Sequence, residues 1–532
     1  MRNIGVLPAL LASCGILTAC GGGGAGDGGS PTLSSGWTQG VFKPAATFAA
    51  QCAAPRSGTD PYTGAAYPDK AGSVLTENNW LRSWSNDLYL WYSEIVDRDP
   101  ANYSTTAAYF EVLKTTQLTG SGTEKDKFHF TYPTPKWEAL SSSSATPSYG
   151  AQWFFIATTP PRKLVVAYAE PNSPAATAGL ARGAEVLQVD GVDLVNADTQ
   201  SAVDTLNAGI SPATSGETHQ FVVLDFGASS SRTITLQSAD VTNTSVMNVK
   251  ALSTANGNVG YVQFNDHLAG AEQGLVDAIN QLQAANIVDL IIDMRYNGGG
   301  YLDIASELAY MVAGNATTAG RTFDKLAFND KYPNTDPVTG KTLQPEGFLS
   351  ITQGFGSLPA GHALPTLNLS RVFVLTGPDT CSASEALING LRGVDVEVIQ
   401  IGETTCGKPY GFYPQDNCGT TYFTIEFKGE NAKGFSDYSD GFTATASTPA
   451  NDAQIPGCVV ADDFTHALGD AGEARLAAAL GYQTGAGCPV APIGLGKLSN
   501  GVNLAAAHGH RVRSPLYENL ILGHAPKAHR GT

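Results

Sequence analysis

Three short stretches hold residue types that together could carry out acyl transfer. The first is Thr380-Cys381-Ser382-Ala383-Ser384-Glu385. It follows the apolar run Val372-Phe373-Val374-Leu375, which reads as a buried strand, and precedes a helix-like run, 386–391, closed by Gly393. Ser382 therefore stands at a strand-to-helix turn, where a helix start offers unpaired N–H groups and partial positive charge. The second stretch is Asn297-Gly298-Gly299-Gly300 and the third is Gly407-Lys408, each after its own apolar run. Peptide hydrolysis needs an activated nucleophile, a base and donors for the developing oxyanion. Ser382 could attack, and Lys408, if desolvated, could be neutral and accept its proton. The Ala383 amide and one among Gly298–Gly300 could face the oxyanion. Taken singly, each stretch has a plainer reading. Ser382-x-x-Glu385 fits a capping box, a glycine run makes a tight turn, and a lysine sits on the surface. His267 offers a rival base, and Cys381 a rival nucleophile.

The elements that would position these residues alternate strand and helix. Strands are expected at Gly260–Phe264, Asp289–Arg295, Arg371–Thr376 and Val396–Ile401. Helices are expected around Leu275–Leu282 and over Leu302–Val312. Such alternation predicts an α/β domain with its sites at the C-terminal strand ends. The Gly-, Pro- and Thr-rich segment 315–368 reads as a long insertion. Upstream, short strands at Trp153–Ile156, Leu164–Ala167, Phe221–Phe226 and Thr233–Leu236, with a hairpin signal over Glu185–Val192 at its Asp-Gly turn, flank a helix at Thr199–Leu206. Further upstream, Trp80, Leu81, Trp84, Leu88, Trp91 and Tyr92 fall on one helical face, with a second helix over Ala107–Leu113.

The strand-rich segment resembles a PDZ domain of the bacterial protease type, through Ser173-Pro174-Ala175-x-x-Ala178-Gly179-Leu180 and Val189-Asp190-Gly191. Gly183-Ala184 departs from the usual Gly-Asp. A PDZ domain adds an extended peptide to a strand edge and holds its terminal carboxylate on loop amides. The resemblance assigns that loop to Tyr149-Gly150-Ala151-Gln152 and faces Val203 and Leu206 to the groove. The whole set resembles the C-terminal processing peptidases, Ser–Lys proteases of family S41. Its motifs are Asp293-x-Arg295-x-Asn297-x-Gly299-Gly300, Ser382–Glu385 and Gly402-Glu403-x-x-x-Gly407-Lys408. The resemblance implies a crotonase/ClpP-like α/β/α core, no metal, no cofactor and endoproteolysis of polypeptides. Carried over, Ser382 is the nucleophile, Lys408 the base, and the amides of Gly299 and Ala383 the oxyanion donors. Gly298 stands where a proline is usual, and Phe412 where a glutamine often follows the lysine. Glu403, Ser384 and Gln415 are then candidates to orient Lys408. A binding lipoprotein with a decayed protease core is the alternative class.

The chain has 532 residues and a formal net charge of −17. That length suits roughly two to four domains, and the acidic balance argues against nucleic acid as a partner. Arg2 and an apolar run to Leu17 have the form of a signal peptide. Leu17-Thr18-Ala19-Cys20 resembles the lipobox of bacterial lipoproteins, with Cys20 lipidated, and Gly21 after it suggests the outer membrane. The expected order is α+β and multidomain. A signal peptide (1–20) and a tether with an irregular segment (21–72) precede an N-terminal helical segment (73–145). A PDZ-like β-domain (146–243), the protease core (244–490) and a mobile tail (491–532) follow. Export implies an oxidising compartment, so Cys52, Cys381, Cys406, Cys418, Cys458 and Cys488 are candidates for disulfides. Cys406–Cys418, Cys381–Cys406 and Cys458–Cys488 are the pairs considered. The partners expected are unfolded or C-terminal polypeptide segments and, through the lipid anchor, a membrane.

Overall fold

The computed structural model describes residues 37–143, 145–489 and 521–522. The signal peptide, Cys20, the first part of the tether and most of the tail lie outside the described residues. Of the tail, the backbone of Ile521–Leu522 pairs in parallel with Gly300–Tyr301.

A seven-stranded sheet forms the centre. Its order is Val246–Thr254, Gly257–Phe264, Ile287–Asp293, Arg371–Thr376, Glu397–Gly402, Gln454–Cys458 and Thr443–Thr445. The first pair is antiparallel and all later pairs are parallel. Both faces are covered, which is why these strands read as unbroken apolar runs. Leu290, Ile292, Val372, Val374 and Val398 face one core with Leu275, Leu308 and Leu387. The alternate residues Ile291, Phe373, Leu375 and Ile399 face the other with Leu476. Parallel register sets Asp293 beside Leu375 and Thr376 beside Gly402. The three chemistry-bearing turns therefore leave neighbouring strands at the same edge.

The N-terminal helix spans Val74–Leu88, with Ser73 and Thr76 forming a reciprocal capping box. Trp80 and Trp84 stack at 5.2 Å and pack with Tyr422. Trp91 and Tyr92 fall beyond the helix end, and the expected second helix is the short Thr106–Phe110. This segment interlocks with the core. Its strand Phe130–Pro133 pairs antiparallel with Thr420–Phe423, and a disulfide joins Cys52 to Cys418.

The unit after residue 145 carries an antiparallel sheet ordered Arg232–Gln237, Thr218–Leu224, Glu185–Val189, Lys163–Ala169 and Ala151–Ala157, with the last strand at an edge. Its helix spans Gln200–Ile210. Arg182 fastens this unit to the core, bonding Asp462 at 2.6 Å and the Tyr296 hydroxyl at 2.8 Å.

Beside that latch the Arg295 guanidinium is buried among Asp293 (2.9 Å), Asp462 (2.7 Å) and Glu473 (2.7 Å). Removing one member of a buried charge network leaves its partners uncompensated, at a cost of roughly 3–5 kcal/mol. Arg295→Ala should therefore lower the unfolding free energy by an amount in that range, read as a lower denaturant midpoint. An unchanged midpoint would contradict the assigned network.

Candidate active site

Arg371–Thr376 ends in a tight turn that carries Ser382 to the start of the Ala383–Gly393 helix. Ser382 is fully buried, with φ 64° and ψ −117°, a region that L-residues rarely occupy. Such a residue costs on the order of 1–3 kcal/mol and persists only where its surroundings over-determine it. Here they do. The Cys381 N–H donates to Asn297 O (3.1 Å), and the Ser384 hydroxyl donates to the same oxygen (3.1 Å). The Ser382 N–H donates to Glu385 Oε2 (3.0 Å). The expected capping box is half formed, because the Ser382 hydroxyl itself has no hydrogen-bond partner among the described residues.

Glu385 is the hub of the site. Its Oε2 also accepts from the Lys408 N–H (2.8 Å), and its Oε1 accepts from the Gly407 N–H (2.9 Å) and the Thr405 hydroxyl (2.5 Å). One buried carboxylate thus binds the Ser382 turn and the Lys408 turn together. Burial pushes its pKa up, while these hydrogen bonds pull it back. A disulfide between Cys381 and Cys406 spans the same two turns, and Cys406 N–H donates to Thr380 O at 3.0 Å.

The Lys408 amine is fully buried and has no hydrogen-bond partner among the described residues. It lies over the rings of Phe412 (4.2 Å) and Phe128 (4.9 Å). Desolvation drives its pKa well below 10.5, against the opposing pull of the Asp126 and Glu385 charges. No hydrogen bond joins its Nζ to Ser382 Oγ.

The glycine turn abuts Ser382. A Cβ on Gly299 would lie 2.7 Å from Ser382 Cβ and 2.9 Å from Ala383 N, and Gly299 has φ +102°. Only glycine permits that approach. The Gly299 N–H donates to Asn297 Oδ1 (2.9 Å). Ala383 opens the helix, so its N–H has no intrahelical acceptor. His267 is buried and bonded to Asn297 Oδ1 through Nδ1 (3.1 Å), and its backbone N–H donates to Gly299 O (2.9 Å). Burial lowers its pKa to about 3.

Several sequence expectations change. None of the three candidates to orient Lys408 reaches it through a hydrogen bond. Ser384 bonds Asn297 O, Glu403 pairs with Arg475 (2.6 Å), and Gln415 bonds Asp416 O (3.3 Å). Cys381 as nucleophile is overturned, since its sulfur is held in a disulfide and supplies no thiolate. Cys381, Glu385 and Cys406 converge, but for the same reason the sulfurs are not thiolate metal ligands. The pairing Cys406–Cys418 is replaced by Cys381–Cys406 and Cys52–Cys418, while Cys458–Cys488 forms. In the strand-rich unit, Tyr149 is buried with its hydroxyl on Gly209 O (2.9 Å), and Leu206 lies in the same core. Val203 is half-buried. The Gly150 N–H donates to Ser148 Oγ (3.2 Å), and Ala151 and Gln152 begin the edge strand.

Residues 258–412 match the model of peptidase family S41, and residues 76–132 match that of the peptidase S41 N-terminal domain. The chain is thus homologous to S41 peptidases over these segments. A carboxyl-terminal-processing protease from Picosynechococcus is 26% identical over 242 residues. That alignment spans 45% of this chain and 49% of the relative, so the chain covers about half the length of that relative. A solved structure from Bacteroides fragilis, a candidate S41 protease, superposes with a TM-score of 0.57 at 22% identity. It covers 79% of this chain and 99% of its own, and shares the fold.

Glu385→Gln replaces one acceptor oxygen with an amide that faces N–H donors. An unsatisfied buried donor costs roughly 1–3 kcal/mol, so this variant should lose that much unfolding free energy, seen as a lower urea midpoint at unchanged m. Wild-type stability in Glu385→Gln would remove the hub role assigned here.

Proposed function

We propose that this protein is a serine endopeptidase that hydrolyses polypeptides with a Ser382–Lys408 dyad. The observation that carries the reading is a buried lysine amine without a hydrogen-bond partner among the described residues, tethered by one carboxylate and one disulfide to a strained, buried serine.

The chemistry follows from the protonation states. Desolvation favours the neutral amine of Lys408. As Ser382 Oγ bonds to the scissile carbonyl carbon, its proton passes to Nζ. The resulting oxyanion meets the Ala383 N–H at the helix start. Gly299 N–H would be the second donor, exchanging Asn297 Oδ1 for the oxyanion. The Lys408 ammonium then protonates the departing amine, and the C–N bond breaks. Water attacks the acyl-enzyme, giving its proton to Nζ, and the proton returns to Ser382 as the acid leaves.

The strand-rich unit is proposed to act as a PDZ domain that captures substrate C-termini. In support, it presents an edge strand beginning at Ala151, with the positive-φ Gly150 before it. Export and lipidation at Cys20 are proposed from the N-terminal sequence, and three disulfides fit an oxidising compartment. Among the described residues, no helix is long and apolar enough to cross a membrane.

The test is cleavage of unfolded casein by purified protein. Lys408→Ala should lose about 10²–10⁴-fold in rate, and Ser382→Ala at least about 10³-fold. The wild-type rate should fall as pH drops through the depressed pKa of Lys408, because protonation removes the base. Full activity in either variant, or a flat profile from acid to alkaline pH, would contradict the dyad. An inert wild-type protein that still binds C-terminal peptides would establish the binding-protein alternative.

A further inference from the structure

No polar side chain among the described residues hydrogen-bonds the Lys408 amine. Two aromatic rings, those of Phe412 and Phe128, lie against it. Phe412 is fully buried, with its ring fixed edge-on by Phe423 (5.3 Å) and Phe130 (6.1 Å). Phe128 arrives from the N-terminal segment, just ahead of the strand that pairs with Thr420–Phe423. Asp126 sets its backbone, accepting the Phe128 N–H (2.9 Å) and the Tyr89 hydroxyl (2.7 Å).

We propose that Phe128 and Phe412 form an aromatic seat that stands in place of a polar orienting partner, keeping the Lys408 amine dry and free of acceptors so that it meets Ser382 as a free base. The inference rests on the Ser–Lys reading above and names the residues that tune its base. Phe128 and Phe412 are positioning residues, since they act through Lys408.

Two effects of the rings oppose each other. A ring face attracts an ammonium, which favours the charged form, whereas exclusion of water penalises it. With the amine fully buried, the second effect is the larger, and the direction of the Lys408 shift agrees. Two charges face the lysine. Asp126, on the Phe128 segment, and Glu385, on the nucleophile helix, both favour the ammonium. Each is already engaged, Asp126 by Tyr89 and Phe128, and Glu385 by four donors. An acceptor placed at position 412 would add to their pull, as a glutamine there would. An aliphatic residue would not.

The test reads Lys408 directly. Protein labelled with ¹³C-lysine is titrated by NMR, with the Lys408 signal identified by its loss in Lys408→Arg. Circular dichroism confirms folding of each variant. Phe412→Gln is expected to raise the Lys408 midpoint by roughly 1–2 pH units, while Phe412→Leu keeps it low. An unmoved midpoint in folded Phe412→Gln overturns the proposal, as does a rise in Phe412→Leu equal to that in Phe412→Gln. The acid limb of casein cleavage, measured alongside, separates the two readings. A midpoint that rises while the limb stays put supports the seat and removes Lys408 as the base.

Discussion

The site depends on one buried carboxylate. The Ser382 and Lys408 turns leave adjacent parallel strands, and strand pairing alone brings them only to the same edge of the sheet. Glu385 fixes them relative to each other through three backbone N–H groups and a hydroxyl. Backbone donors cannot rotate away as side chains can, so the turn geometry is set before any substrate arrives. The Cys381–Cys406 bond repeats the same link covalently, one residue before Ser382 and two before Lys408. Two independent ties across one short distance explain how a residue at φ 64° is held where chemistry needs it.

The cost of this arrangement is spread across the molecule. A buried lysine without an acceptor and a strained serine both work against stability. The two-sided apolar cores of the central sheet offset them. So does the interlocking of the N-terminal segment, which contributes a strand, a disulfide and the Phe128 ring to one corner of the core. That segment is therefore part of the site, although it lies far from it in sequence.

Much of this was legible from residue order. The apolar runs expected as strands at Asp289–Arg295, Arg371–Thr376 and Val396–Ile401 coincide with Ile287–Asp293, Arg371–Thr376 and Glu397–Gly402 to within about two residues, and the candidate turns lie just after them. Other features were not legible, for identifiable reasons. Glu385 at the third helical position has the local signature of a cap, and a capping glutamate and a hub glutamate look alike until the lysine turn is folded against them. Phe128 carries no local signal at all, because its role exists only through long-range strand pairing. Gly299 abuts Ser382, yet the direction of its N–H depends on the side chain of Asn297, which spacing does not reveal. Cysteine pairing likewise follows from tertiary proximity, and Cys52 finds Cys418 only once the N-terminal segment wraps the core.

The central claim is that a neutral Lys408 activates Ser382. The most direct measurement is the rate at which a serine-reactive fluorophosphonate acylates the protein, followed across pH with the labelled residue mapped by mass spectrometry. Labelling is expected at Ser382, at a rate that declines on the acid side as Lys408 takes up a proton, with near-complete loss of labelling in Lys408→Ala. Labelling at another residue, or labelling of Ser382 that proceeds unchanged without Lys408, would contradict it.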